Sequence, residues 1–297
     1  MKRRPGSIVL TPLKLLFDVA VFRFGRLEMA NTFAALSIAF AIGLGAVDMA
    51  VRFVFGVLLN ILAGLNNDYY DVDQDLESAG RNHAMTRFLK EHMRAALVTQ
   101  VLLAMILAVW GAWWSLGLVV ALVLGAGNSW IYSWKLKHIP YLDVVSIFLW
   151  GALMPLVGFP LDSLLAWCLI GQLALFSGCF EALQVIRDHA DDSRLGVRTT
   201  AVHLGVRKTI FILRVLMALA AIYGILILHR WIGIALVALL LLPIRETEAT
   251  QSWNRVRLVM GLVWLALVGW VFWQGGTNGF LVSIRAEETI SALSWIR

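Results

Sequence analysis

This 297-residue sequence has little charge and almost no cysteine. Charged side chains make up 15% of it and apolar ones 60%, with a mean hydropathy of +0.79, which excludes a soluble globular domain. The net charge is +6, but the basic residues are not gathered on a solvated face, which excludes a nucleic-acid partner. The two cysteines, Cys168 and Cys179, lack metal-type spacing, and we interpret them as buried thiols.

Long apolar runs are what the sequence has in abundance. A hydrocarbon core of about 30 Å is crossed by roughly 20 helical residues. Apolar segments of that order lie at 29–47, 51–70, 95–112, 116–133, 142–160, 164–187, 209–228, 231–246 and 257–274. The sequence therefore predicts an all-α polytopic membrane protein with about nine transmembrane helices.

Basic residues are distributed unequally between the connections. Most lie at the N-terminus and in the joints after the second, fourth, sixth and eighth spans. The other connections and the C-terminal tail hold Arg52, Arg230, Arg285 and Arg297. Because basic loops remain in the cytoplasm, we expect a cytoplasmic N-terminus and an outside C-terminus.

Three segments are expected along the chain. Residues 1–28 hold an amphipathic helix that we predict to lie at the cytoplasmic membrane surface, and Lys14, Asp18 and Arg23 argue against a cleavable signal peptide there. Its apolar face consists of Leu13, Leu16, Phe17, Ala20, Val21 and Phe24. Residues 29–275 form a single intramembrane domain of two pseudo-repeats, and 276–297 form a tail.

Two acidic helix ends, at 67–75 and 184–192, have the same spacing. Residues three and four apart share a helical face. On the second span such a face carries Asn60, Gly64, Asn67, Asp71 and Asp75. A shift of 117 residues aligns these with Ser177, Glu181, Gln184, Asp188 and Asp192 on the sixth span.

Carboxylates stacked in this way repel one another at the membrane edge, so a cation should compensate them. Oxygen ligands from Asn, Gln and Asp suit Mg²⁺, which commonly also binds substrate phosphates. The pattern therefore predicts a magnesium diphosphate clamp. Solvated helix ends are the alternative, but they would explain one such cluster better than two in matching register.

A diphosphate also needs positively charged side chains. Three predicted cytoplasmic joints supply them: Arg81, Arg87, Lys90 and Arg94; Lys135 and Lys137; and Arg187, Arg194 and Arg198. Each residue alone could serve only to fix the topology. Lys135, Lys137 and Arg187 are the strongest candidates for contact with the substrate.

Three ordered motifs resemble those of the UbiA superfamily of intramembrane prenyltransferases. They read Asn67-x-x-x-Asp71-x-x-x-Asp75, then Tyr132-Ser-x-x-Leu136-Lys137-x-x-Pro140, then Asp188-x-x-x-Asp192-x-x-x-Gly196-x-x-Thr199 followed by Leu204-Gly205. The resemblance covers roughly residues 20–275. One departure is that no proline follows the first motif between Leu76 and Arg87, where many members have a basic-Pro element.

The resemblance implies a helical bundle around a central cavity with a polar cytoplasmic mouth, in which Mg²⁺ is held against an allylic isoprenoid diphosphate. The implied metal ligands are Asn67, Asp71, Asp75, Asp188 and Asp192. The catalytic residues are the four aspartates with Lys137. The substrate-binding residues are Asn67, Asp68, Tyr132, Lys135, Lys137, Gln184, Arg187, Arg81 and Arg26, the last from its position in the family.

The expected chemistry is cleavage of the allylic C–O bond in a dry cavity that protects the cation from water. Candidate aromatic walls are Tyr69, Tyr70, Tyr132, Phe148 and Trp150, which could equally be packing or interfacial residues. Glu181 lies two turns inside a span, where it could orient or deprotonate an acceptor, or pair with a basic residue of another helix.

Three functions remain open from the sequence. The first is Mg²⁺-dependent transfer of a prenyl group from a polyprenyl diphosphate to an aromatic or lipid-soluble acceptor, in quinone or lipid biosynthesis. The second is a terpene cyclase on the same scaffold. The third is a transporter, which is disfavoured because the acids cluster at one face rather than at the midplane. The expected partners are these substrates and the bilayer, and no protein partner is predicted.

Overall fold

The computed structural model describes residues 10–25, 29–77 and 82–282. Its α-helices are α1 Leu10–Gly25, α2 Ala30–Ala41, α3 Ala46–Glu77, α4 His83–Glu91, α5 Met93–Trp114, α6 Leu116–Val120, α7 Gly127–Trp134, α8 Leu142–Leu153, α9 Leu164–Arg187, α10 His189–Leu195, α11 Thr200–Leu204, α12 Val206–Tyr223, α13 Arg230–Val237 and α14 Ala249–Trp273. A π-helical turn over Ala121–Ala126 joins α6 to α7, and another over Gly224–Leu228 extends α12. Short 3₁₀ turns follow α7, α8 and α13 at Leu136–His138, Met154–Gly158 and Ala238–Leu241.

The chain is an all-helical, polytopic integral membrane protein, as predicted. Within the described ranges, six helices are long and apolar enough to cross a membrane: Ala46–Glu77, Met93–Trp114, Leu116–Trp134, Leu164–Arg187, Val206–Leu228 and Ala249–Trp273. Three shorter apolar helices, Ala30–Ala41, Leu142–Gly158 and Arg230–Leu241, coincide with the remaining predicted segments. The number of nine crossings stays a prediction, since 10–17 apolar residues are too few to span a bilayer upright.

The helix α9 is the centre of the bundle. In its most apolar stretch 72% of the residues are buried, whereas the corresponding figure for the second-span helix α3 is 44%. α9 packs against α8, α12 and α14. The approach of α8 requires Gly151, because a Cβ atom there would overlap the side chain of Ser177. The second acidic motif therefore follows the most buried of the six long apolar helices in the described ranges.

The amphipathic helix α1 packs on α3 through Leu15 and Val19, which are each 2% exposed and were not part of the predicted apolar face. Leu13, Phe17 and Val21 of that face are instead 55–67% exposed. An outward apolar face is what an interfacial helix needs. Its position at a membrane surface and the predicted segment boundaries at 28 and 275 stay predictions.

Candidate active site

The first acidic motif lies on the unbroken C-terminal half of α3. The helix continues to Glu77, so Asn67, Asp71 and Asp75 keep the single face that their spacing predicts. Asp71 and Asp75 are buried, at 9% and 7% exposure. Asp73, which points away from them, is exposed and pairs with Lys90 at 2.8 Å. The motif thus separates into an inward and an outward group of acids.

Asp68 joins the inward group through a residue of α1 that the sequence did not single out. The Arg23 guanidinium donates to Asp68 Oδ1 and, at 3.3 Å, to the carbonyl oxygen of Gly64. A Cβ at Gly64 would come within 3.0 Å of Arg23 Nε, so the missing side chain leaves room for this contact. The contact joins residues 45 positions apart, and in sequence Arg23 is one of several basic residues near the N-terminus. No local pattern therefore distinguishes it as the partner of Asp68.

Lys137 connects the two acidic motifs. It lies in the 3₁₀ turn after α7, is 8% exposed and forms an ion pair with Asp71. Burial lowers the pKa of Lys137 to about 8, and the nearby negative charge of Asp192 opposes that shift. A single buried cation therefore acts on an acid of each motif.

The second motif bends where the first is straight. α9 ends at Arg187 and α10 begins at His189, so the expectation of one continuous helical face is wrong at Asp188. Its backbone nevertheless keeps the helical spacing, because Asp188 N donates to Gln184 O and Asp192 N to Asp188 O, both at 2.9 Å. At this bend the adjacent Arg187 donates to both oxygens of Asp188, at 2.7 and 2.8 Å.

Asp192 is the acid of the second motif with a perturbed proton affinity. Burial, and after it the negative charge of Asp188, raise the pKa of Asp192 to about 6. Lys137 opposes the shift. An additional cation near Asp192 would therefore stabilise its charged form.

A buried hydrogen-bond cluster, formed by Tyr141, Asp143 and Thr200, joins the loop that carries Lys137 to the segment after the second motif. Thr200 donates from its backbone N to Asp143 Oδ2 at 2.7 Å and from its hydroxyl to Asp143 Oδ1. Tyr141 N in turn donates to Thr200 Oγ1 at 2.7 Å. Asp143 is 1% exposed and Thr200 is fully buried. This hydrogen-bond cluster ties the segment after Lys137 to the segment after Asp192, and no local sequence pattern indicates it.

A second buried contact lies on the membrane side of the acids. The Tyr132 hydroxyl of α7 donates to Glu181 Oε1 of α9 at 3.1 Å. Glu181 is 4% exposed, and within the described ranges it has no ion pair with Lys, Arg or His. Of the two alternatives for Glu181, pairing with a basic residue of another helix is therefore not what the structure shows.

The remaining candidates differ in position. Lys135 is exposed and Gln184 is half-buried. Asn67 accepts a hydrogen bond at its Oδ1 from the hydroxyl of Ser133 on α7, at 3.4 Å. Arg26 and Arg81 lie outside the described residues. The exposed Tyr70 accepts from Trp130 at 2.8 Å, which places it in an outer aromatic group rather than in a cavity wall.

Arg187 also contacts an aromatic residue that the sequence did not single out. Its guanidinium lies 5.4 Å from the ring centroid of Trp253 on α14, and Arg257 lies 4.2 Å from the same ring. α14 therefore borders the second motif. Trp253 and Arg257 lie 66 and 70 positions from Arg187 in sequence and four positions apart on α14. Only the pair on α14 therefore has a spacing that is visible in the sequence.

The donor set suits a hard cation, but the protein supplies only part of a coordination shell. In the described part of the chain no three Asp, Glu, His or Cys side chains are close enough to hold a metal ion by themselves. Mg²⁺ commonly takes one or two carboxylates and completes its shell with water and substrate phosphates. Oxygen donors on two helix ends, with a crowded carboxylate at Asp192, fit that mode of binding.

Comparison with known proteins identifies the family. The model of the UbiA prenyltransferase family matches residues 29–247, which is well over half of the chain. The chain belongs to this family. The predicted resemblance is thereby confirmed, and so is the prenyltransferase class at the level of the family.

Individual UbiA relatives are more distant. Digeranylgeranylglyceryl phosphate synthase of Pyrococcus horikoshii is 28% identical over 151 residues, 46% of this chain and 53% of the relative, so the match spans about half the length of that protein. A structure of digeranylgeranylglyceryl phosphate synthase in membranes has a TM-score of 0.67 at 18% identity, covering 88% of this chain and 99% of the other. A UbiA homologue from Archaeoglobus fulgidus, bound to DMAPP and Mg²⁺, has a TM-score of 0.58 at 17% identity, with 88% and 86% covered. These structures share the fold.

Proposed function

We propose that this UbiA-family protein transfers a prenyl group from a polyprenyl diphosphate to an aromatic or lipid-soluble acceptor, in a reaction that requires Mg²⁺ and releases diphosphate. The observation that carries the proposal is the position of Lys137, which pairs with Asp71 of one motif and acts on Asp192 of the other. A buried cation between two acidic helix ends is suited to a ligand that carries both metal and phosphate charges.

The metal would be held by oxygen atoms drawn from Asn67, Asp71, Asp75, Asp188 and Asp192, with water and substrate phosphates completing its shell. Mg²⁺, when bound, neutralises the charge on the diphosphate and so makes it a better leaving group. Lys137 and Arg187, which pair with Asp71 and Asp188 here, would then bind diphosphate oxygens instead. The same cations thus stabilise the acids without substrate and the anion with substrate. The solved homologue bound to DMAPP and Mg²⁺ supports this substrate class and this metal.

The acceptor is the less defined substrate. The name of the archaeal relative describes a lipid product with two geranylgeranyl groups on glyceryl phosphate. It supports a lipid acceptor whose hydroxyl group is alkylated, and hence a role in lipid rather than quinone biosynthesis. The dry helical bundle in which α9 is enclosed would protect the allylic cation from water with either kind of acceptor.

The mouth of the site is proposed to face the cytoplasm, with the C-terminus outside, on the basis of the distribution of Lys and Arg. Cysteine labelling in a variant without Cys168 and Cys179 tests it. A probe cysteine at Ser193 should react only from the cytoplasmic side and one at Gly276 only from the outer side. The reverse pattern would refute the orientation.

Product analysis tests the activity. Purified protein is incubated with labelled DMAPP, geranyl or geranylgeranyl diphosphate, with and without geranylgeranylglyceryl phosphate or 4-hydroxybenzoate. We expect diphosphate release and a prenylated acceptor with Mg²⁺, and neither product with EDTA. A cyclic hydrocarbon formed without acceptor would instead identify a cyclase. Intact diphosphate under every condition would refute both enzymatic functions.

A further inference from the structure

Glu181 is an acid that binding of a metal diphosphate does not explain. It lies seven residues before Asp188, which places it about 10 Å deeper along the axis of α9. Acids at such depth are expensive to bury and are functional by default. Its hydrogen-bond partner is Tyr132, not a cation. A structural ion pair therefore does not account for Glu181.

The surroundings of Glu181 are negatively charged. The charged groups that act on it are Asp143, Asp188 and Asp192, which reach it from the start of α8 and from the second motif. Tyr132 binds only Oε1, and in the described part of the chain no hydrogen bond to Oε2 is found. Oε1 is therefore fixed by Tyr132, and Oε2 is the oxygen of Glu181 that can take up a proton from a bound substrate.

The location of the pair fits the place where an acceptor would react. Ser133, the neighbour of Tyr132, contacts Asn67 one turn before Asp71. The Tyr132–Glu181 contact therefore lies just on the membrane side of the predicted diphosphate ligands. An acceptor that attacks the allylic carbon beneath the diphosphate would approach from this side.

We propose that Glu181 accepts the proton that the acceptor loses, while Tyr132 orients its carboxyl group; this inference rests on the proposed prenyl transfer. The allylic C–O bond breaks and its electron pair leaves with the diphosphate. A bond forms between the allylic carbon and the acceptor oxygen or carbon, and the acceptor proton moves to Glu181 Oε2. Glu181 then returns the proton to water at the mouth of the site.

The decisive variant is Glu181→Gln. Glutamine has the same size and keeps an oxygen that can accept the Tyr132 hydrogen bond, but it cannot take up a proton at this site. General-base catalysis typically contributes about 10²–10⁴-fold. We therefore expect prenyl transfer to fall by about 10² or more, with an unchanged melting temperature and unchanged thermal stabilisation by Mg²⁺ and geranylgeranyl diphosphate. Glu181→Asp should recover part of the rate.

Tyrosine variants separate orientation from packing. Tyr132→Phe should lower kcat by about tenfold, a smaller loss than in Glu181→Gln, because the carboxylate remains but is less well oriented. Tyr223→Phe is the matched control. The Tyr223 hydroxyl also donates to α9, to the carbonyl oxygen of Cys168 at 2.8 Å, but at the opposite end of that helix from Glu181. This variant should retain the wild-type rate.

Three outcomes would overturn the inference. Transfer by Glu181→Gln within threefold of wild type removes the proton transfer to this residue. Loss of substrate-induced stabilisation in that variant assigns Glu181 to diphosphate binding. A melting temperature lowered as much as the rate assigns it to packing. If the wild-type protein transfers no prenyl group to either acceptor probe, the proposed function itself fails and the inference fails with it.

Discussion

The two acidic motifs have the same spacing in sequence but differ in structure. The first lies on one continuous helix, its inward acids are buried, and their partners Lys137 and Arg23 come from distant parts of the chain. The second lies at a helix bend, its acids are only partly buried, and Asp188 is bound by its neighbour in sequence, Arg187. Equal spacing therefore does not imply equal roles. The first motif contributes to the fold and to the site, and the second mainly to the site.

The largest expected difference is between Asp71→Asn and Asp188→Asn. From the sequence, loss of either mutually repelling acid should leave the stability unchanged. The structure predicts that Asp71→Asn lowers the free energy of unfolding by about 3–5 kcal/mol, because it leaves buried Lys137 unpaired. Asp188→Asn should change it by about 1 kcal/mol or less, because that pair is partly exposed.

Denaturant unfolding in detergent measures this difference, and diphosphate release measures activity. Both variants should lose turnover, as should Asp75→Ala and Asp192→Ala. Equal destabilisation by Asp71→Asn and Asp188→Asn would show that the two motifs do not differ in the fold. Near-full activity in any two of the four aspartate variants would refute the magnesium diphosphate clamp.

Lys137→Gln tests the connection between the motifs. Negative charge grows on the diphosphate as the C–O bond breaks, so a cation there should act mainly in the transition state. We expect a loss of about 10²–10³ in the single-turnover rate at saturating Mg²⁺ and prenyl diphosphate. Lys137→Arg should retain part of the rate because it keeps the charge in another shape.

Lys135→Gln is the matched control for Lys137→Gln, since Lys135 is exposed two positions away. Its rate should stay within about threefold of wild type if the position of the charge matters. A wild-type rate in Lys137→Gln would remove that residue from the mechanism. The role would then pass to Lys135.

Thr200→Val tests whether the position of Lys137 relative to Asp192 depends on the hydrogen-bond cluster of Tyr141, Asp143 and Thr200. The variant removes the hydroxyl that binds Asp143 and leaves a buried carboxylate with fewer donors, which should destabilise the protein by about 1–3 kcal/mol. A small displacement of Lys137 from Asp192 should lower kcat by roughly tenfold. Thr209→Val is the control. The Thr209 hydroxyl donates to Gly205 O, four residues earlier, at 3.1 Å, so this variant also removes a buried hydroxyl but touches neither motif. Equal effects of both variants on kcat would show that this hydrogen-bond cluster does not position Lys137 for catalysis.

The smallest effect is expected for Asp73→Ala, within the first motif but on its outer side. The Asp73–Lys90 pair is exposed on both sides, and such pairs contribute about 0–1 kcal/mol. Turnover and the melting temperature should stay close to wild type in steady-state and thermal assays. A large loss of turnover would mean that the outer acids also bind substrate, and that the division of the motif by burial is wrong.

Much of the fold could be predicted from local patterns. Within the described residues, the apolar segments coincide with six helices long enough to span a membrane and with three shorter ones, because burial in lipid selects long apolar runs whatever their neighbours are. The inward face of Asp71 and Asp75 followed from helical spacing. The bend at Asp188 did not, since four-residue spacing is the same in a straight helix and in a bent one that keeps its hydrogen bonds.

The sequence alone determined that the chain is a membrane protein with paired acidic motifs, because composition and short spacing act locally. Only the tertiary structure decided which groups meet. Arg23 with Asp68, Tyr132 with Glu181 and Asp143 with Thr200 are separated by 45, 49 and 57 positions. Such contacts depend on how helices cross and where loops end. The packing of these helices therefore decided which cation pairs with which acid, and in the described part of the chain it left Glu181 without one.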